Sequence, residues 1–233
     1  MKRTSSRKLL AAWLREVGLD YVPVRPPAET GASAAGGTPA EGGQPAEGET
    51  LEEIRRELEE CRGCPLCSGR NTIVFGVGNP RARLMFVGEG PGAEEDRQGE
   101  PFVGAAGKRL DQWIARIGLS RGDVYIANIV KCRPPGNRVP TPEEAKACMG
   151  YLLRQIRTVR PEVLCTLGLT ALNYLCGVDE RITRARGRWR EWNGIPLLPT
   201  YHPAFILRDP SREREVFGDF EAIGRKLSLP LPK

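Results

Sequence analysis

The chain has 233 residues, of which 40% are hydrophobic and 27% charged, with a net charge of +6. That length serves one full-sized domain plus an appendage, and the composition is that of a globular protein, not a collagen-like or wholly disordered one. No apolar run approaches the roughly 18 residues of a membrane span, and the apolar stretch from Leu9 to Leu14 is too short and lacks the cleavage site of an export signal.

The charge is unevenly placed. Residues 1–60 carry 8 basic and 11 acidic side chains, whereas residues 61–233 carry 27 and 18, a surplus of +9 in the part expected to fold. Of the 35 basic residues 28 are arginine, whose planar fork matches phosphate oxygens. A basic folded body is a plausible nucleic-acid binder. Seven cysteines without an export signal argue for thiol or metal chemistry in a reducing compartment and against a disulfide framework.

Residues 1–25 form an N-terminal segment in which Leu9, Leu10, Trp13, Leu14 and Val17 share one helical face ahead of Gly18. Residues 26–50 contain no Val, Ile, Leu, Met, Phe, Tyr or Trp and read as a flexible linker. The folded domain is expected over 51–230. Thr50 and Glu53 make a capping box, and Leu51, Ile54 and Leu58 one apolar stripe leading to Cys61. Residues 84–87 read as a strand ending in a glycine-rich loop, 110–117 as a helix and 124–130 as a second strand. Thr141-Pro142-Glu143-Glu144 caps a helix that must stop near Arg160, before Pro161. A third strand over 163–167, a helix through Leu172 and Leu175, a hairpin turning at Asn193-Gly194 and a last helix through Val216 to Leu227 follow. This alternation predicts an α/β fold with a mainly parallel sheet covered on both faces.

Cys61, Cys64, Cys67, Cys132 and Cys148 offer a ligand set, while Cys165 and Cys176 lie in apolar segments and read as small buried hydrophobes. Zinc sites usually show two close pairs; one close pair with two separated cysteines suits an iron–sulfur cluster better, and zinc or free thiols remain open. The loop Gly88-Glu89-Gly90-Pro91-Gly92-Ala93 can be forced onto a dinucleotide fingerprint, but Pro91 has no N–H and Glu94, Glu95 and Asp96 put carboxylates where phosphates would sit. Such a loop at a strand's carboxyl end instead suits a flat, neutral ligand. Phe102 in its Gly/Pro-rich loop is a stacking platform or a core plug. Asn128 interrupts an apolar run and needs hydrogen-bond partners. His202 is the only histidine, so any imidazole chemistry must use it.

Taken together, Cys61-x2-Cys64, Gly88-Glu89-Gly90-Pro91-Gly92 with Glu95, Pro101-Phe102-Val103-Gly104, Asn128 with Lys131-Cys132-Arg133-Pro134-Pro135, Asn137-Arg138, Cys148, and His202-Pro203 with Leu207-Arg208 resemble the family 4 uracil-DNA glycosylases, from about Glu60 to Arg214. The resemblance implies a three-layer α/β/α fold with a central four-stranded, mainly parallel sheet. It implies a 4Fe–4S cluster on Cys61, Cys64, Cys132 and Cys148, leaving Cys67 out. It implies a base-excision repair hydrolase that flips uracil out of DNA and cuts its N-glycosidic bond.

Phe102 would stack on the base, Asn128 would pair with its edge, Gly88, Glu89 and Gly90 would cradle it, and His202 would stabilise the departing anion. Other uracil-DNA glycosylases carry a water-activating Asp where this chain has Gly90, so Glu89 is assigned a part in placing water. Glu95, Asn137, Arg138 and Arg208 are expected at a secondary pocket or DNA contact, with residues 205–207 in a loop pressing on the DNA. A covalent histidine trap is disfavoured, because 133–140 is short and holds no second histidine. Uracil-containing DNA is the expected partner, with a replication or repair protein on residues 1–24. A monomer, cytoplasmic and nucleoid-associated, is expected. The alternative is a non-catalytic iron–sulfur module that binds DNA or senses redox state.

Overall fold

The computed structural model describes residues 48–230; the expected segment 1–25 and most of the linker 26–50 lie outside the described residues. Glu49, at the end of that linker, pairs with Arg154 at 2.6 Å.

Thr50 and Glu53 close the expected capping box on α1 (Leu51–Glu59), which buries Ile54 and Leu58 against Phe75. The chain then builds β1 (Val77–Gly78), β2 (Leu84–Gly88), α2 (Ala93–Gln98), α3 (Ala105–Arg116) and β3 (Tyr125–Asn128). It continues through α4 (Pro142–Val159), β4 (Val163–Leu167), α5 (Leu169–Cys176), α6 (Ile182–Ala185), β5 (Arg190–Trp192) and β6 (Ile195–Thr200), and ends in α7 (Pro203–Arg208) and α8 (Glu213–Lys226).

The strands form one sheet in the order β1-β3-β2-β4-β6-β5. The inner four, β3-β2-β4-β6, are parallel. The expected four-stranded sheet is therefore extended at both edges, where β1 and β5 pair antiparallel with β3 and β6. Two or three residues per edge strand give too little periodicity for sequence reading to register β1, and β5 is visible only as an arm of its hairpin. The hairpin turns as expected, with Asn193 and Gly194 both at positive φ (47° and 79°).

Both faces of the sheet are covered. Met85, Val87, Ala127 and Leu164 pack against Leu152 and Ile156 of α4 and Leu172 and Leu175 of α5. Leu84, Phe86, Ile126 and Cys165 pack against Leu110, Trp113 and Ile114 of α3 and Phe220 and Ile223 of α8. Cys165 and Cys176 are buried among these residues, as small hydrophobes should be.

Three further differences concern the loops. The strand expected over 124–130 stops at Asn128, which frees that residue for the strand end. Residues 93–96, expected in the glycine-rich loop, belong to α2, and residues after His202, also expected as loop, form α7. Each of these helices has only six residues, too few for an apolar stripe to be legible. No helix among the described residues is long and apolar enough to cross a membrane.

Candidate active site

The carboxyl ends of β2 and β3 open into a cleft of about 460 Å³. Gly88 and Asn128, the last residues of these strands, are register partners. Asn128 is buried, and its Oδ1 has no hydrogen-bond partner. An orphaned buried acceptor costs roughly 1–3 kcal/mol, so folded proteins keep few. Of four buried side-chain polar atoms without a partner among the described residues, Asn128 Oδ1 is the one whose residue lines the cleft. Gly88 makes the space: a Cβ there would overlap Asn128 Oδ1 and come within 2.6 Å of the Phe102 ring.

Phe102 lines the same cleft and is itself held in an unusual conformation, with φ at 54°. A bulky side chain rarely adopts positive φ, and such strain persists only when the surroundings over-determine it. Here they do. Gly107 in α3 brings its backbone so close that any side chain would collide with the Phe102 carbonyl. On the other side, Glu95 accepts from the N–H groups of Val103 and Gly104 at 3.0 and 3.1 Å, and from Gly92 at 3.1 Å. The Glu95 carboxylate thus ties the glycine-rich turn to the Phe102 loop. It also occupies the amino end of α2, which explains physically why the phosphate-binding reading fails there.

His202 lines the cleft, 5.6 Å from Phe102 ring to ring. Its Nδ1 accepts from the Ala204 N–H at 3.1 Å, so in the neutral ring the proton is on Nε2. Burial pushes the imidazole down to about 4; the Arg208 charge acts in the same direction and Glu95 against it. His202 is therefore a neutral N–H donor at neutral pH. Gly168, at φ +90°, allows the ring's close approach, since a Cβ there would lie 2.9 Å from the His202 Cβ.

The other expected site residues divide. Glu89, Gly90, Glu95, Asn137 and Arg208 all border the cleft. Gly90 packs on Val130, where a Cβ would come within 2.8 Å of a methyl group, so the turn does not accommodate an aspartate without shifting. Asn137 accepts from Arg133 Nε at 2.7 Å. Arg138 is not at the cleft: its fork grips Glu144 at 2.7 and 2.8 Å, which ties the 133–140 loop to the start of α4.

A second cluster lies beyond Asn128. Cys61, Cys64, Cys132 and Cys148, from three separate segments, influence one another electrostatically, and Cys67 reaches Cys64 in the same way. Burial pushes the Cys148 thiol up to about 12 and raises those of Cys64 and Cys132 as well. N–H donors approach three of the sulfurs: Gly63 N at 3.5 Å from Cys61, Arg70 Nη1 at 3.4 Å from Cys132 and Lys131 N at 3.3 Å from Cys148. Among the described residues, no three His, Cys, Asp or Glu side chains stand close enough to hold a single metal ion.

Comparison with known proteins settles the family. Residues 75–222 match the model of the uracil DNA glycosylase superfamily. The chain belongs to that superfamily. It is 46% identical to a Type-4 uracil-DNA glycosylase of Thermotoga maritima over 177 residues, covering 74% of this chain and 92% of that protein. A Type-4 enzyme of Archaeoglobus fulgidus is 45% identical over 184 residues, covering 76% and 92%. A Type-5 enzyme of Pyrobaculum aerophilum is 33% identical over 186 residues, covering 66% and 82%. The chain is a DNA-repair glycosylase that removes uracil from DNA.

For this glycosylase fold, sequence reading missed the residues that support the site. Gly107 and Gly168 lie in segments that carry no motif, and their need becomes visible only when Phe102 and His202 pack against them. Arg70 and Lys131 were likewise not legible as partners of the cysteine lobe.

Proposed function

We propose that the cleft takes a uracil flipped out of DNA, reads it through Asn128, stacks it on Phe102 and releases it with help from His202. The observation that carries this reading is the unpartnered Oδ1 of Asn128 at the floor of the cleft. Uracil N3–H is a donor of the kind that atom lacks, and the same amide can donate to O4. Cytosine offers an acceptor at N3 and would leave two acceptors facing each other, so it is rejected. The turn fixed by Glu95 forms the wall that excludes the thymine methyl group.

As the N-glycosidic bond breaks, negative charge moves onto the base. A neutral His202 N–H stabilises that charge at O2 without first holding a proton to give away, an oxyanion-type contribution worth several kcal/mol. Glu89, at the cleft edge, places the water that adds to the sugar. Arg208 contacts phosphate, and the neighbouring Leu207, 40% exposed, fills the gap left by the flipped nucleotide. Arg138 and Asn137 act indirectly, by shaping the 133–140 loop.

Cys61, Cys64, Cys132 and Cys148 would hold a 4Fe–4S cluster. The donor set suits such a cluster: four thiols, three of them met by N–H groups. When bound, the cluster supplies cross-linking of the three cysteine segments, not bond chemistry at the base. The protein works as a monomer on DNA in the cytoplasm, at the nucleoid, and residues 1–24 bind a replication or repair partner.

The test is release of free uracil from defined single-stranded, U:G and U:A DNA, with iron counted in the same sample. Asn128→Ala should lose most of the release with iron retained. Full activity in that variant would overturn the assignment of the cleft.

A further inference from the structure

Lys131 is fully buried, and it is the only lysine or arginine buried among the described residues. An ammonium group there forfeits its hydration, so the fold must return hydrogen bonds to it. Its Nζ donates to the backbone carbonyl of Asn128 at 2.9 Å and to Oε1 of Gln155 at 2.6 Å. The Gln155 amide, also buried, donates to the Phe75 carbonyl at 2.9 Å and the Tyr125 hydroxyl at 3.2 Å. The Lys131 backbone is held as well: its N–H donates to Cys148 Sγ at 3.3 Å, and its carbonyl accepts from Val74 N–H at 2.8 Å.

The peptide that joins Asn128 to Ile129 is thereby gripped at both ends. Its N–H donates to the Gly88 carbonyl at 2.9 Å, and its C=O accepts from Lys131 Nζ. With β3 fixing the preceding backbone, this grip sets ψ of Asn128 and hence the direction of its Cα–Cβ bond. An apolar residue of similar size would fill the same space at lower desolvation cost. What the lysine adds is a fixed plane for that one peptide, which lies immediately behind the amide that faces the base.

We infer that Lys131 is a positioning residue for uracil recognition: it holds the 128–129 peptide against Gly88 and so aims the Asn128 amide, acting on the reaction only through Asn128. The inference rests on the reading that Asn128 recognises the base.

A double-mutant cycle on the full, iron-loaded chain tests it, with single-turnover uracil release from single-stranded DNA as the readout. Lys131→Met should slow release about tenfold or more in the otherwise native protein, and by less than about twofold when Asn128 is already alanine. Lys131→Gln, which keeps an N–H on a slightly shorter arm, should recover part of the loss. Thermal midpoint and iron per chain are measured on each variant, and Lys131→Gln carries the cycle if Lys131→Met fails to fold. If Lys131 substitution slows release by the same factor in both backgrounds, or if neither variant folds, the residue is a core element only and the inference is overturned. If instead Asn128→Ala alone leaves release unchanged, the recognition reading itself has failed and the positioning role goes with it.

Discussion

Gly88 and Asn128 face each other across the β2–β3 ladder, and a Cβ on Gly88 would overlap the Asn128 amide oxygen. The Asn128 amide oxygen is thus free to meet a ligand only because its strand partner has no side chain. Gly88→Ala should therefore act as a blocked site without an unfolded protein. The Cβ either forces Asn128 and Phe102 aside or fills the volume meant for the base. We expect uracil release to fall by roughly a hundredfold or more, with the absorbance of a bound cluster unchanged. Activity close to that of the native enzyme would mean that the base does not enter between these two strand ends.

Asn128→Ala separates activity from stability. Most buried amides stabilise through the hydrogen bonds they make, but Oδ1 of this one makes none. Removing it should cost little, with a thermal midpoint within about 3 °C of the native value or above it. Single-turnover release should fall by roughly a hundredfold or more. A large loss of stability would show that the amide is structural.

His202 gives a pH prediction that one spectrum can check, because the chain has a single histidine. Its folded pKa, about 4, lies below the ordinary value of 6.5. As pH falls the unfolded chain takes up the proton first, so His202 lowers stability between about 6.5 and about 4 and lowers it no further below that. In a chain without a histidine tag, the ring proton signals should not titrate between pH 5.5 and 8. A midpoint near 6.5 in that spectrum would rule out the buried neutral donor.

Glu95→Ala tests the tie between the two loops. It removes the acceptor for three backbone N–H groups and should cost about 2 kcal/mol or more in stability, read from denaturant unfolding. Because the positive-φ loop of Phe102 loses one of its two supports, KM for uracil-DNA should rise as well. Unchanged stability would mean that water satisfies these amides equally well.

The cysteines are separable by iron analysis. Serine at position 61, 64, 132 or 148 should lower bound iron and its visible absorbance. Cys67→Ser should retain both, as should Cys165→Ser and Cys176→Ser, which alter only packing. Iron lost with Cys67 and kept without Cys61 would reassign the ligand set.

The sequence alone determined a good deal of this protein. The capping boxes at Thr50 and Thr141, the apolar run of β4 and the Asn193-Gly194 turn are local signals, set by the chemistry of a few neighbouring residues, and the structure has each of them. The order of the motifs around Gly88, Phe102, Asn128 and His202 pointed to the family for the same reason: a site's chemistry restricts which residue types can serve it. Only the tertiary structure could decide what holds those residues in place. Gly107 serves Phe102, Gly168 serves His202, Glu95 ties its own turn to the loop of Phe102, and Lys131 folds back onto the end of β3. Such roles depend on distances between segments that no spacing along the chain encodes. The tertiary structure likewise turned Arg138 away from the cleft towards Glu144 and gave the lone histidine its state, through burial beside a cation.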